Sequence, residues 1–359
     1  MSATMVRPPE APTPAPNLTA GHLSRSQHVV VVAGAVVVGA LSWLVEGTSP
    51  NWARWVIVTL LAYCVGIYVV SRVVEGARHA LDRLSTAVMT SAFCLVLLPL
   101  ISVVWTVVQR GWARMDATFL TESMRGVVGE GGGAWHALVG TLIITGLTAL
   151  MSVPFGLFTA IYLVEYGNGR LARSITAMVD VMTGIPSIVA GLFAYALFVI
   201  WWGPGTRSGI SGAVALTVLM TPVVIRSAEE MLRLVPNELR EASYALGVPK
   251  WKTIVKVVLP TAIAGILTGV TLAVARVIGE TAPLLVTAGL AQDTNLNPFS
   301  GRMTTLPVYA YYSYATPGVP PQNGLDRAWS AALLLIIVVA ILFTFARILS
   351  TFLKPKGLR

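Results

Sequence analysis

Charge is scarce in this 359-residue chain: Asp, Glu, Lys and Arg make up 11% of it, against roughly a quarter in soluble domains. With 55% hydrophobic residues and a mean hydropathy of +0.74, that scarcity excludes a water-soluble domain and implies an integral membrane protein. Cysteine is almost missing. Cys64 and Cys94 both fall in apolar runs, so neither a disulfide framework nor a cysteine metal cluster is implied. The four histidines, His22, His28, His79 and His136, lie far apart, with no Cys, Glu or second His at ligand spacing, and no metal site is expected. Also missing is any G-x-x-x-x-G-K-[ST] segment. Gly131-Gly132-Gly133 lacks the following Lys-Ser/Thr, so the chain is not expected to hydrolyse ATP by itself. No cluster of acid, base and nucleophile stands out, which argues against a membrane-embedded transferase.

What is present is a series of apolar runs, at about 28–45, 55–71, 86–108, 135–164, 178–202, 211–225, 257–288 and 327–352. Each approaches the roughly 20 residues needed to cross hydrocarbon, giving an all-α protein of about eight spans. The net charge of +9 fits basic residues gathered beside one side of a bilayer and does not call for a nucleic-acid partner. Alternating the connections places every lysine, together with Arg72, Arg78, Arg83, Arg170, Arg173, Arg226, Arg233 and Arg240, on one side. By the positive-inside rule that side is cytoplasmic, as are both termini. The polar, Pro-rich residues 1–27 read as a disordered tail and 353–359 as a second, short one. The opposite connections, 109–134 and 289–325, are rich in Gly, Asn, Pro and Tyr and read as loops, open to a partner or merely connecting.

The inside segment from Arg226 to Lys256 has a helical grammar of its own. Pro236 suits a first turn, Glu238 and Glu241 suit the positive end of the dipole, and Gly247 followed by Pro249 supplies a stop. Leu239, Ala242, Ser243 and Leu246 recur at i, i+3, i+4 and i+7, so a helix of about ten residues would carry one small apolar face, with Arg240, Glu241 and Tyr244 pointing elsewhere. That face suits a groove on another protein; it suits packing on the chain's own helices equally well.

The next apolar run carries two charges, Arg276 and Glu280, four residues apart. On one helix they would share a face and pair. Burying either alone in hydrocarbon costs at least several kcal/mol, so they should face a partner helix or a watery path; a structural ion pair locking two helices satisfies the same physics. Pro154, Pro186, Pro222 and Pro283 interrupt apolar runs where helix breaks can line a cavity, Gly184-Ile185-Pro186-Ser187 being the best placed. Asp180 reads as an interfacial cap at the start of a span, and Gly184 and Gly191 read as close-packing positions.

Glu241-Ala242-Ser243, Gly247 three residues on, and Val257-x-Leu259-Pro260 after nine more resemble the EAA loop of bacterial ABC importer permeases, E-A-A-x3-G-x9-I-x-L-P, with Ser243 and Val257 as mild departures. Residues 275–285, ARVIGETAPLL, with 184–193 and 160–166, resemble the phosphate-importer permeases of that family. The resemblance covers about 86–352 and implies a six-helix type I core, preceded by an additional helix pair at 28–85. It further implies that the loop, 236–260, is a coupling helix for a separate ATPase, with Glu241, Ala242, Ser243, Leu246 and Gly247 making the contact. Arg276, Glu280, Thr281 and, more weakly, Arg226 would line the path of the anion. Arginine suits this because its planar fork stays charged and donates two parallel hydrogen bonds. The implied partners are a sister permease forming a heterodimer, two ATP-binding subunits, an extracytoplasmic phosphate-binding protein and the lipid bilayer of a bacterial inner membrane. No cofactor is expected on this chain, since ATP would be used by the partner subunits. An oxyanion other than phosphate, or an ion-coupled secondary transporter, remains the alternative.

Overall fold

The computed structural model describes residues 23–42 and 52–353, so the two expected tails lie almost wholly outside the described residues. Those residues divide into two compact units at Val104/Trp105.

The first unit holds α1 (Arg25–Leu41), α2 (Trp52–Val74) and most of α3 (Ala77–Gly111). α1 begins earlier than the apolar run suggests because Ser24 caps it and Gln27 reaches back to close a capping box. Val31, Ile67 and Ala87 form a small core. In the turn between α2 and α3, Glu75 accepts from Ser71 at 2.6 Å and pairs with Arg83 at 2.9 Å. The Arg83 guanidinium holds the Glu75 carboxyl far below the usual carboxylate range, at about 2.

The second unit is built around α8 (Gly209–Arg233), where 61% of the most apolar stretch is buried, against a third or less in the other long helices. α5 (Trp135–Ile161) and α11 (Leu259–Ile278) pack on it. Ile144, Leu216, Met220, Val224, Ala273 and Val277 interdigitate to form the shared core. α14 (Pro321–Leu353) packs on α11 and on α13 (Leu306–Ala315). A short helix, α4 (Ala117–Thr121), precedes α5 and is capped by Asp116.

Among the described residues six helices are long and apolar enough to cross a membrane, and α1 forms a shorter apolar helix. Two of the expected spans are not straight. The run at 178–202 is split into α6 (Arg170–Thr183) and α7 (Ser187–Trp202), which meet at 108°. Pro186 has no N–H to continue the ladder and drives Ile185 out of the helical region. Asp180 is therefore in the last turn of α6 and does not start a span. The run at 257–288 likewise stops at Ile278 and resumes as α12 (Ala282–Thr287), with Pro283 in its first turn. Pro154 and Pro222 break nothing, since α5 and α8 continue through them. A Cβ on Gly191 would stand 2.6 Å from Pro283 Cα, so glycine is what lets α7 seat the second break. Gly184 meets only its own turn and has no packing role. Ser208 N–H and Ser211 Oγ both donate to Thr287 C=O, at 3.1 and 2.9 Å, stitching the start of α8 to the end of α12.

Candidate functional site

Two places carry the sequence-predicted residues: a surface helix at one end of the second unit, and the break after α11.

The surface helix is α9 (Asn237–Ala245), followed by α10 (Lys250–Thr253) and a wide π turn, Ile254–Val258, leading into α11. α9 ends where Gly247 takes φ +73°. Gly247 N–H donates to Tyr244 C=O at 2.9 Å and Val248 N–H to Ser243 C=O at 3.2 Å, the paired bonds of a Schellman stop. Glycine is needed there because a Cβ clashes in the left-handed region.

The inner side of α9 is polar and tightly held. Arg240 lies 2.9 Å from the Glu165 carboxylate and donates to the carbonyls of Val235 at 2.6 Å and Leu232 at 3.0 Å. Glu165 sits in a second π turn, Tyr162–Tyr166, that extends α5, and its side chain is only 5% exposed. Such turns re-aim a side chain without ending the helix. The Lys250 ammonium donates to Glu165 C=O and rests 4.7 Å from the centre of the Tyr166 ring. Ser243 and Thr253, both buried, share a hydrogen bond of 2.8 Å.

The expected single face of Leu239, Ala242, Ser243 and Leu246 is therefore divided. Ser243 turns inward beside Arg240, three residues before it, whereas Glu241, Ala242, Leu246 and Gly247 are exposed, Leu246 at 83%. The physical reason is the buried carboxylate at Glu165. A guanidinium that can reach it is drawn in, and at about 100° per residue this rotates the small apolar positions toward solvent. α9 thus has one face fixed to its own bundle and the other free.

Arg226, on α8, pairs with Asp180 of α6 and with Glu229 at 3.0 Å, and Glu229 also binds Arg233 at 2.6 Å. Glu229 is 7% exposed and is compensated by two arginines, as a buried carboxylate requires. Sequence reasoning placed Arg226 without these partners; Glu229, at i+3, was the available signal.

Arg276 and Glu280 do not pair. α11 closes at Ile278 with Gly279 as its cap, so Glu280 lies beyond the helix and the four-residue spacing no longer places the two side chains on one face. Among the described residues no ion pair joins them. Arg276 is exposed in the last turn of α11, while Glu280 and Thr281 are half-buried in the break before α12. Within a membrane, irregular backbone of this kind is tolerated where it is buried in protein or lines a water-filled cavity.

Apolar helices long enough to cross a bilayer, together with one sharply bent helix pair, mark a multi-pass membrane protein. The chain belongs to the binding-protein-dependent transport system inner membrane component family, whose model matches residues 152–357. It is 49% identical over 275 residues to the phosphate transport system permease protein PstA 1 of Mycobacterium tuberculosis (strain CDC 1551 / Oshkosh), covering 76% of this chain and 89% of that one. To the PstA of Pasteurella multocida (strain Pm70) it is 38% identical over 274 residues, covering 75% and 95%. Among solved structures, a chain of an inward-facing MetNI methionine ABC transporter is similar in fold, with a TM-score of 0.50 and 21% identity over 67% of this chain and 100% of that chain. The resemblance read from the loop and from residues 275–285 is borne out at the level of family.

Proposed function

We propose that this chain is the permease subunit of an ATP-driven phosphate importer, supplying half of the path for inorganic phosphate and coupling it to separate ATPase subunits. The observation that carries the coupling is α9: Arg240 fastens it to Glu165 while Glu241, Ala242 and Leu246 stay free for a partner. The phosphate assignment is supported by relatives whose printed names are phosphate transport permeases. ATP is hydrolysed by the partners, since the chain carries no Walker-type loop of its own.

In this reading the partners are a PstC-like permease forming a heterodimer, a PstB-like ATPase dimer and a PstS-like phosphate-binding protein, in a bacterial inner membrane with both termini cytoplasmic. ATP-driven closure of the ATPases pushes α9, and the Arg240–Glu165 tether passes the displacement to α5. Arg276, Glu280 and Thr281 at the helix break meet the anion, and Arg226 stands at the inner mouth, where Asp180 and Glu229 restrain its charge so that phosphate is not trapped.

Affinity capture of the chain from membranes tests the coupling. The reading expects the ATPase to be retained by the wild type and lost, or released at lower salt, in Gly247→Asp. Capture of an intact permease pair with no ATPase in either sample contradicts it.

A further inference from the structure

At the end of the second unit away from α9, the segments 112–134 and 289–305 close over the start of α5 and over α13. Met124 N–H donates to Gln292 C=O at 3.0 Å, and Leu306 N–H donates to Thr141 Oγ1 at 2.8 Å. A cavity of about 170 Å3 lies there, its walls including His136, Tyr309, Arg327, Gln292, Ser313 and Thr316.

Three observations set this cavity apart. First, His136 is 3% exposed and neither ring nitrogen has a hydrogen-bond partner; Tyr309 is 4% exposed and its Oη makes no hydrogen bond of ordinary geometry, the Ser313 hydroxyl and the Arg327 and Arg114 guanidinium groups lying near it. Buried polar groups in native proteins are overwhelmingly satisfied, so such groups side by side point to something that binds there. Second, the two rings meet edge to face at 5.2 Å, which fixes both polar edges rigidly. Third, Arg327 is 8% exposed and anchored through Nη1 to the carbonyls of Gly129 at 2.9 Å and Gly131 at 3.3 Å, holding a cation at the wall.

The chemistry of the wall selects the ligand. Imidazole N–H, phenol, the Ser313 hydroxyl, a carboxamide and a guanidinium can donate, the Thr316 hydroxyl being committed to Tyr312 C=O at 2.9 Å, and no carboxylate is among the lining residues. Asp293, close by in sequence to Gln292, is engaged with Arg125 at 3.2 Å. The Asp293 carboxylate is felt at His136 from outside the wall, but the lining itself offers a cation no carboxylate, whereas a small anion with several acceptor oxygens finds one fixed positive charge and several donors. The volume is many times the roughly 10–15 Å3 that one water centre occupies, which leaves room for a tetrahedral ion.

We propose that this cavity is a binding site for a small tetrahedral oxyanion, separate from the helix break at Arg276. On the phosphate reading, which supplies only the choice of probe, it is the place where the permease itself holds phosphate at the face opposite the coupling helix. It would act as a waiting position between delivery and passage.

The test uses the assembled transporter, purified without binding protein and titrated calorimetrically with inorganic phosphate. Tyr309→Phe and His136→Phe delete the unpartnered polar atoms while keeping a ring in place. Both variants are expected to melt at or above the wild-type temperature when phosphate is absent, and to bind phosphate about tenfold more weakly, the loss of one hydrogen bond to a charged ligand. Variants that bind phosphate as tightly as the wild type, or a wild type that binds none, overturn the site and leave the cavity to water. Equal competition by phosphatidylglycerol assigns a lipid headgroup and also counts against it. ATP-dependent uptake by the wild type with binding protein present is measured in parallel. Uptake of phosphate without Tyr309-dependent binding sinks the cavity alone, whereas no phosphate uptake sinks the functional reading.

Discussion

Arg240 on α9 and Glu165 in the π turn after α5 stand 2.9 Å apart although 75 residues separate them, and both are largely buried. This pair is the only ion pair that fastens the surface helix to the bundle among the described residues, and under the proposed coupling it would carry a force on α9 to α5. Arg240→Ala leaves an uncompensated buried carboxylate and should destabilise the chain by about 3–5 kcal/mol. Arg240→Met with Glu165→Leu, which removes both charges, should recover most of the stability in thermal melts while still uncoupling ATP hydrolysis from transport. Recovery of coupling in the double variant contradicts the lever.

Gly247→Ala tests the stop of α9. The left-handed conformation at φ +73° should cost a side-chain-bearing residue about 1–2 kcal/mol. Nothing beyond its own chain neighbours lies within 4 Å of the added methyl, so the local backbone clash is the whole cost and no tertiary contact adds to it. The expected outcome is a folded permease whose α9 frays, read as faster hydrogen exchange at Gly247 and Val248 amides and a weaker grip on the ATPase.

The helix break after α11 depends on a close approach. Gly191→Ala places a methyl 2.6 Å from Pro283 Cα, an overpacking that typically costs about 1–3 kcal/mol. Uptake should fall along with stability. A melt and an uptake rate both equal to the wild type would show that α7 does not seat the break.

Glu75 makes a pH prediction for the first unit. Its carboxyl is lowered from 4.5 to about 2 by Arg83. A depressed carboxyl stabilises the folded form above the ordinary value, and that contribution is lost as pH falls from about 4.5 through 2. Infrared difference spectra of wild type against Glu75→Gln should show an ionised carboxylate at pH 3.5; in Arg83→Gln the same group should be protonated there.

The eight apolar runs, the position of α9 and its stop at Gly247 were legible because hydrophobic length and glycine chemistry are local. The break after Ile278 is legible only in part: Pro283 marks an interruption of the apolar run 257–288, but the i, i+4 spacing of Arg276 and Glu280 suggests a helix that continues through both. Ser243 and Arg240 were assigned to the wrong sides of α9 for a different reason. Helical periodicity ranks faces by polarity and cannot see a carboxylate 75 residues away that draws a guanidinium inward. Asp180 reads as an interfacial cap from sequence alone, whereas it lies in the last turn of α6 and pairs with Arg226 of α8, 46 residues away.

Under the proposed function this chain passes phosphate when a separate ATPase drives it. The direct measurement is uptake of labelled phosphate into proteoliposomes holding the full complex and its binding protein, with ATP supplied and sulfate as competitor, for wild type and Arg276→Gln. The expected result is ATP-dependent uptake by the wild type that excess sulfate does not suppress, and loss of that uptake in Arg276→Gln with the complex still assembled. Phosphate uptake that proceeds without ATP, or at the wild-type rate in Arg276→Gln, would contradict it.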